Sequence, residues 1–326
     1  VMDGLIILDS PESTSRVWRK NGVVVDRTGA VVGADKARTI RVDSACAGPD
    51  PRLSAREHDA IMTVRRPLAA KSAGAMPGPS VATDAGDGAV QPSMTSRLTA
   101  LDWNQVGAIL GAHGAAATGP LLTAGECRVL RNLYPAEAPF RSRIMMARHG
   151  FGRGEYKYFS YPLPSVVQEL RTALYARLAP IANAWSAALG QKHDFPSELS
   201  GYLERCHAAG QLRPTPLLLK YGPGDYNCLH QDLYGANVFP LQVAVLLSAP
   251  KSEFEGGEFV VVEQRPRMQS RAEVITLAQG EAVIFAVHHR PVQGAKGTYR
   301  VNLRHGVSRI RAGARLTLGV IFHDGV

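Results

Sequence analysis

The stretch FVVVEQRPRMQSRAEVITLAQGEAVIFAV, residues 259–287, decides the fold class. It holds three short runs rich in Val, Ile and Phe, separated by segments that contain Pro266 and Gly280. Short β-rich runs bounded by such turn residues indicate strands. Four further runs of this kind lie at residues 215–222, 240–250, 299–307 and 315–323. Because no long helical pattern interrupts them, the seven runs predict an antiparallel barrel or jelly roll.

Two amphipathic stretches precede these strands. Residues 98–114 and 164–190 place apolar side chains at helical spacing, and each ends at a glycine. Between them, residues 140–150 and 156–163 are typical of short extended segments. The chain is therefore expected to form an α+β domain over residues 97–326, with helical support over 97–195 and a jelly-roll core over 213–326.

The first 96 residues differ in composition from the rest of the chain. They are rich in Ala, Gly, Pro, Ser and Asp, and of all the Phe, Trp and Tyr residues only Trp18 lies before residue 101. A segment with so few large side chains has little to offset the entropy of ordering. We expect a low-complexity, poorly ordered N-terminal segment, with a small hairpin pattern over residues 21–42.

Composition and charge limit the function classes. With 45% apolar and 20% charged residues, the chain has the profile of a soluble globular protein and not of a collagen-like or disulfide-scaffold chain. Its four cysteines are scattered, and no apolar run reaches the roughly 18–20 residues of a membrane span. We expect a cytoplasmic protein without a membrane segment or an obligate protein partner. The net charge of +9 is compatible with a polyanionic partner.

A candidate metal site lies in the strand-rich half. His230 and Asp232 stand two positions apart, so in a strand both side chains project from one face. His305 is the candidate third ligand, and Arg315 follows it by ten residues. Two imidazoles and one carboxylate form a facial triad that suits Fe(II) and leaves positions open. A fixed arginine suits a carboxylate of a bound cosubstrate.

Each of these features also has a simpler interpretation. His230 and Asp232 would then be an ordinary surface pair, and Arg315 a solvated charge at a strand end. His288 and His289 compete with His305 for the third position, although neither is followed by an arginine at the same offset.

Together with FEGGEF (254–259), the ordered motifs resemble those of the 2-oxoglutarate/Fe(II)-dependent dioxygenase superfamily, whose fold is a double-stranded β-helix, or jelly roll. More narrowly, residues 97–326 are similar to a bacterial family of nucleic-acid oxygenases expected to remove damage-type methyl groups from bases by oxidation. The matching stretches are GEYKYFSYPLP, GQLRPTPLLLKYGPGDYNCLHQDLYG, FPLQVAVLLS, FEGGEFVVVEQRPRMQSR and YRVNLRHGVSRIRAGARLTLGVIFHD.

The resemblance implies a cofactor set and roles for several residues. Fe(II) would be held by His230, Asp232 and His305, and O₂ would be the oxidant. The cosubstrate 2-oxoglutarate would chelate the iron, with Arg315 on its far carboxylate and Tyr221 as a further hydrogen-bonding group. No catalytic residue is expected beyond the iron centre.

Substrate contacts are predicted where basic and aromatic residues interleave, over residues 140–161. Arg153, Lys157 and Tyr158 are the candidates there, with Arg300 as a fourth, and the expected partner is DNA or RNA carrying methylated bases. The alternative interpretation is that the aromatic rings fill the core while the basic groups stay in solvent.

Two other functions stay open at this level. The pattern H-G-V-x-x-I-x-x-G-x-R over residues 305–315 also occurs in prolyl-hydroxylase-like members of the superfamily, so a prolyl, amino-acid or peptidyl hydroxylase is the main alternative. A non-enzymatic jelly-roll binding module is a second alternative, which the complete ligand set with Arg315 disfavours.

Overall fold

A computed structural model of the chain describes residues 92–233 and 235–326, together with the backbone of three short strands near the N-terminus. Contacts divide the chain into two units, Val1–Asp84 and Ala85–Val326. In the first unit β1 (Trp18–Lys20), β2 (Val23–Val25) and β3 (Val31–Gly33) form an antiparallel sheet. The hairpin pattern of residues 21–42 overlaps β2 and β3. Of the rest of the segment expected to be poorly ordered, residues 92–96 are described and a helix begins there at Met94; the remainder lies outside the described residues, and the boundary at residue 96 stays a prediction.

The helices of the second unit begin and end at local signals in the sequence. Asp102 caps the second helix by accepting hydrogen bonds from two backbone N–H groups, and Gly114 ends it with a φ of 80°. Thr123 and Glu126 form a reciprocal capping box at the start of the third helix. The helices are α1 (Met94–Thr99), α2 (Trp103–His113), α3 (Ala124–Leu133), α4 (Ser165–Ala188) and α5 (Leu199–Ala208).

The strands of this unit form two large antiparallel sheets and one small one. They are β4 (Ala115–Pro120), β5 (Phe140–Met145), β6 (Gly152–Arg153), β7 (Glu155–Phe159), β8 (Leu217–Tyr221), β9 (Tyr226–His230), β10 (Leu241–Leu246), β11 (Phe254–Gly256), β12 (Phe259–Gln264), β13 (Arg271–Ile275), β14 (Glu281–Ala286), β15 (His289–Gly294), β16 (Gly297–Val307), β17 (Ile310–Gly313) and β18 (Arg315–Val320). The seven-stranded sheet has the order β4-β14-β10-β18-β8-β7-β5, and the six-stranded sheet has the order β13-β12-β16-β9-β6, with β15 paired to β16. The small sheet joins β11 and β17.

Each of the seven runs predicted from the sequence overlaps one of these strands, and the jelly-roll prediction is confirmed. The main core is continuous from the helices to the sheets: Leu174 and Tyr175 of α4 belong to the same buried cluster as Val243, Ile284 and Leu318 of the seven-stranded sheet. The long helix α4 therefore covers that sheet.

Residues 97–195, which were expected to be helical support, contain both helices and strands. Strand β4 pairs with β14 at one edge of the seven-stranded sheet, and β7 pairs with β8 near the other. The sequence of β4 begins with three alanines, Ala115, Ala116 and Ala117, and shows no alternation of apolar and polar residues. Its extended conformation is therefore set by pairing with the edge of the sheet and not by local propensity.

The last residues of the chain are fixed to α4 by a buried ion pair. Arg171 donates to Asp324 at 2.8 Å and to the carbonyls of Ile321 and Phe322, and both charged side chains are completely buried. Within residues 92–233 and 235–326, no helix combines the length and the hydropathy needed to span a membrane.

Candidate metal centre

The two histidines of the predicted ligand set lie on neighbouring strands of the six-stranded sheet. His230 ends β9 and is the direct cross-strand partner of His305 on β16. Asp232 follows β9 by two residues, and one ligand atom from each of the three side chains lies within 4.8 Å of the others. The Nε2 atoms of His230 and His305 are each 3.4 Å from an Asp232 carboxylate oxygen. The structure thus brings together all three residues that the sequence singled out.

Hydrogen bonding and packing orient both imidazoles. The Nδ1 atom of His230 lies 2.7 Å from the carbonyl oxygen of Cys228. With Nδ1 donating to that carbonyl, a metal ion that replaced the Nε2 proton shared with Asp232 would find the Nε2 lone pair available, which is the state a metal ligand needs. The His305 ring packs against Phe285 and Phe259, with centroid distances of 4.5 and 5.9 Å.

The electrostatics of the three groups also suit a cation. Burial would raise the pKa of Asp232, but hydrogen bonds from the two imidazoles outweigh it and hold this pKa well below its usual value. Burial lowers the pKa of His305. For His230 burial acts in the same direction, yet the bond and charge of Asp232 raise its pKa. An ionised carboxylate beside a neutral His305 is a deprotonated donor set of the kind that Fe(II) binds.

The three groups open onto a cavity of about 220 Å³. Arg315 also lines it, at the start of β18, with its cross-strand partner Tyr221 on β8. Arg315 is 3% exposed and donates from Nη1 to the hydroxyl of Thr317 at 2.6 Å. Burial lowers the pKa of Arg315 to about 10, so the guanidinium is still charged at neutral pH.

Unsatisfied polar atoms converge on this cavity. The hydroxyl of Tyr221, Nε2 of Gln242 and Nε of Arg315 are buried without a hydrogen-bond partner within the described residues, and all three side chains line the cavity. Buried polar groups nearly always have partners, so such a group of orphans indicates a polar ligand. The residues therefore fit a metal ion at one end and an anion beside Arg315.

The glycines of the FEGGEF motif make room for that arginine. Gly257 has a φ of 66°, and a Cβ atom there would lie 2.8 Å from Cδ of Arg315 and 2.2 Å from Cδ1 of Ile310. Any larger residue would displace the guanidinium or the side chain that packs beside it.

The predicted substrate residues separate into two groups. Tyr158 lines the cavity with Tyr156, two positions earlier on β7, and their rings meet edge to face at 5.4 Å. Arg153 does not line the cavity but lies two residues after Phe151, which does; its side chain is exposed, and its Nε lies 3.7 Å from Asp225.

Lys157 and Arg300 are not brought to the cavity. Lys157 is 7% exposed, and its ammonium donates to the carbonyls of Tyr134 and Ala136 at 2.9 and 3.0 Å, so it cannot also meet a phosphate. Arg300 is exposed on β16 and lies near His288 and His289, whose pKa values burial and its charge lower. His288 and His289 line a different cavity, which removes them as competitors of His305.

The sequence did not single out Thr317, which orients Arg315. Thr317 stands two residues after Arg315 on one strand, so the period of two places both on the same face. A search for polar residues at even offsets from Arg315 would have found it.

Comparison with known proteins places the chain in a family. The sequence pattern of the family described as "Oxygenase, catalysing oxidative methylation of damaged DNA" matches residues 154–325, more than half of the chain. The chain belongs to this oxygenase family. It is also 51% identical, over 166 residues, to two uncharacterized proteins from strains of Mycobacterium tuberculosis; the match covers 51% of this chain and 71% of each relative.

Two solved structures are similar at low sequence identity. A Pseudomonas putida prolyl-4-hydroxylase is 14% identical with a TM-score of 0.42, and the match covers 68% of this chain and all of the other. An oxidoreductase of the 2OG-Fe(II) oxygenase family from Burkholderia pseudomallei is 16% identical with a TM-score of 0.42, covering 70% of this chain and 94% of the other.

Family membership confirms the prediction of an oxidoreductase. The His-Asp-His set beside the buried Arg315 fits the predicted cofactors, Fe(II), 2-oxoglutarate and O₂.

Proposed function

We propose that this oxygenase uses Fe(II), 2-oxoglutarate and O₂ to remove methyl groups from damaged nucleic-acid bases. One observation carries the proposal: the side chains of His230, Asp232 and His305 lie together and share one cavity with the buried guanidinium of Arg315. The family description, which names damaged DNA, supports the substrate class.

The ligand roles follow from the donor atoms. The Nε2 atoms of His230 and His305 and the carboxylate of Asp232 would hold Fe(II) on one face. The bound iron, with cosubstrate and O₂, supplies the oxidation of a C–H bond. The protein's part would be to supply these three ligands and to leave room beside them in the cavity for cosubstrate and O₂.

Arg315 and Tyr221 would bind the cosubstrate at its far end. The guanidinium has an unused Nε donor, and its Nη1 is fixed by Thr317. A fixed planar fork of this kind pairs with a carboxylate. The Tyr221 hydroxyl, buried and without a partner within the described residues, supplies a further donor to the same anion.

The remaining wall suits a flat ring. Tyr156 and Tyr158 project from β7 into the cavity, and Phe151 lines it at the outer edge. Apolar and aromatic walls exclude water and can sandwich a base whose methyl group points toward the iron. Oxidation of an N-methyl carbon gives a hydroxymethyl group, which leaves as formaldehyde and returns the unmodified base.

The test is product release by the full chain supplied with Fe(II), 2-oxoglutarate and O₂. We expect formaldehyde and succinate in equal amounts from a single-stranded oligonucleotide treated with a methylating agent, and no formaldehyde from the untreated oligonucleotide. A proline-containing peptide is the comparison substrate. Hydroxylation of the peptide without any formaldehyde from methylated DNA or RNA would reject the proposal in favour of a peptidyl hydroxylase.

A further inference from the structure

A glycine-spaced segment borders the cavity. In Gly150-Phe151-Gly152-Arg153-Gly154 the three glycines have φ values of 72°, 121° and 119°. A Cβ atom at Gly152 would lie 2.5 Å from the carbonyl oxygen of Tyr226, and one at Gly154 would lie 2.7 Å from the ring of Tyr221. The backbone therefore lies directly against β9 and β8, and only Phe151 and Arg153 carry side chains away from it.

This close approach fixes Phe151 at the mouth of the cavity. Its carbonyl oxygen accepts a hydrogen bond from the backbone N–H of Cys228, two residues before His230. The ring lines the cavity and yet is 46% exposed. His149 stacks on it with a centroid distance of 5.3 Å and an interplanar angle of 23°. The two stacked rings of His149 and Phe151 thus lie where a nucleic-acid strand would pass as its base entered the cavity.

Next to Phe151 and His149 in the fold lie a positively charged side chain, Arg153, and a third aromatic ring, Tyr226. Arg153 is the cross-strand partner of Tyr226, which is 38% exposed. The Arg153 side chain is 61% exposed, and its ion pair with Asp225 is long, at 3.7 Å, so solvent screening leaves it weak. Neighbouring Arg148 is also exposed, and the whole chain carries a net charge of +9.

We infer that one surface binds the single-stranded nucleic acid that flanks the target base. This surface, here called the rim ledge, consists of His149, Phe151, Arg153 and Tyr226. Phe151 stacks on the base next to the one in the cavity, and Arg153 pairs with the phosphate between them. A ring can stack on a base only where that base has lost its neighbour, so the ledge selects single-stranded or locally opened nucleic acid over intact duplex. This inference rests on the proposed nucleic-acid substrate.

The test is binding without turnover. The full chain is titrated into a short fluorescein-labelled, unmethylated single-stranded oligonucleotide, followed by fluorescence anisotropy, with the matching duplex as a second probe. Loss of one stacking partner is expected to weaken binding about tenfold, so Phe151→Ala should raise Kd by that factor. Phe151→Trp should restore tight binding, and Phe151→Leu, which keeps apolar bulk without a ring, should not.

Two further variants distinguish a specific effect of the rim ledge on binding from an effect of overall charge or of misfolding. Arg153→Gln should weaken single-strand binding and reduce its salt dependence. Met268→Ala removes an exposed apolar side chain on the loop between β12 and β13 and should change nothing. Thermal unfolding of each variant identifies loss of fold, and rescue by Phe151→Trp would show that a lower affinity of Phe151→Ala comes from the missing ring.

The outcomes distinguish this inference from the proposed function. Weaker binding by Phe151→Ala with rescue by Trp supports the ledge, even if no methylated base is ever turned over. Equal Kd values for the wild type and Phe151→Ala overturn the ledge, even if demethylation is observed. No binding of the oligonucleotide, or tighter binding of duplex than of single strand, also overturns it, and binding of a proline-containing peptide in its place would assign the ledge to a peptide.

Discussion

Replacing Arg315 tests the cosubstrate site most directly. The guanidinium is buried, carries a full charge and is held by Thr317, so little ordering is needed when an anion arrives. A hydrogen bond to a charged group contributes about 1.5–3 kcal/mol. Arg315→Ala should therefore lose about 3 kcal/mol of binding, which corresponds to roughly a 100-fold rise in the apparent KM for 2-oxoglutarate.

Arg315→Lys refines the expectation. It keeps the positive charge but loses the planar fork and the geometry that Thr317 fixes, so the rise should be smaller, roughly tenfold. The matched control is Arg311→Ala, which removes an exposed arginine four residues away that pairs with Glu258 at 3.3 Å. The assay is succinate release against 2-oxoglutarate concentration, together with calorimetric titration of the cosubstrate.

The refuting result is specific. If Arg315→Ala keeps the wild-type KM and the wild-type calorimetric affinity, Arg315 does not bind the cosubstrate and the buried charge needs another explanation. If Arg311→Ala raises KM as much as Arg315→Ala does, the effect is long-range electrostatics and not contact.

Asp232→Ala should abolish both metal-dependent stabilisation in thermal unfolding and succinate release; metal binding that survives would show that the ligand set is wrong. Arg171→Leu removes the guanidinium from the buried carboxylate of Asp324 and leaves it with Tyr161 and His207, so it should reduce the free energy of unfolding by about 3 kcal/mol, the lower end of the range for a broken buried pair, whereas Arg177→Leu, on the exposed side of the same helix, should change it little in denaturant titrations. Burial opposes ionisation of Glu263, but hydrogen bonds from its arginine partners prevail and lower its pKa. The ionised Glu263 therefore stabilises the fold above the pKa of an unfolded glutamate, and this stabilisation is lost as the pH falls through the lower pKa of the folded state. Glu263→Gln should reduce the loss of stability over that acidic pH range. The same pH dependence in the variant and the wild type would contradict this.

The strands and the ligand set were predictable from the sequence because both depend on local rules. Runs such as 281–287 are short, β-rich and bounded by turn residues. His230 and Asp232 have the spacing of one strand face, and the chain continues from His305 to an arginine at a fixed offset. What the sequence could not supply is the cross-strand pairing of His230 with His305, because pairing depends on contacts between distant segments.

Lys157 and Arg300 lie away from the cavity for the same reason. On β7 Tyr156 and Tyr158 face the cavity, so Lys157 points to the opposite side, where the carbonyls of Tyr134 and Ala136 cover it. Arg300 stands five residues before His305, an odd offset that places it on the other face of β16. The alternation of basic and aromatic residues suggested one binding surface. In a strand, however, successive side chains point to opposite faces, so the basic and the aromatic residues lie on different sides.

The separation between iron site and anion site is set by the two sheets themselves. His305 lies on β16 of the six-stranded sheet, and Arg315 begins β18 of the seven-stranded sheet. The nine residues between them include β17, which pairs with β11 in the small sheet. Facing sheets pack about 10 Å apart, so we expect the distance between His305 and Arg315 to follow the spacing of the two sheets. A ligand must therefore span the inter-sheet space with a metal-binding group at one end and a negative charge at the other. A dicarboxylate with a keto group beside one carboxylate satisfies both requirements, whereas a monocarboxylate can satisfy only one.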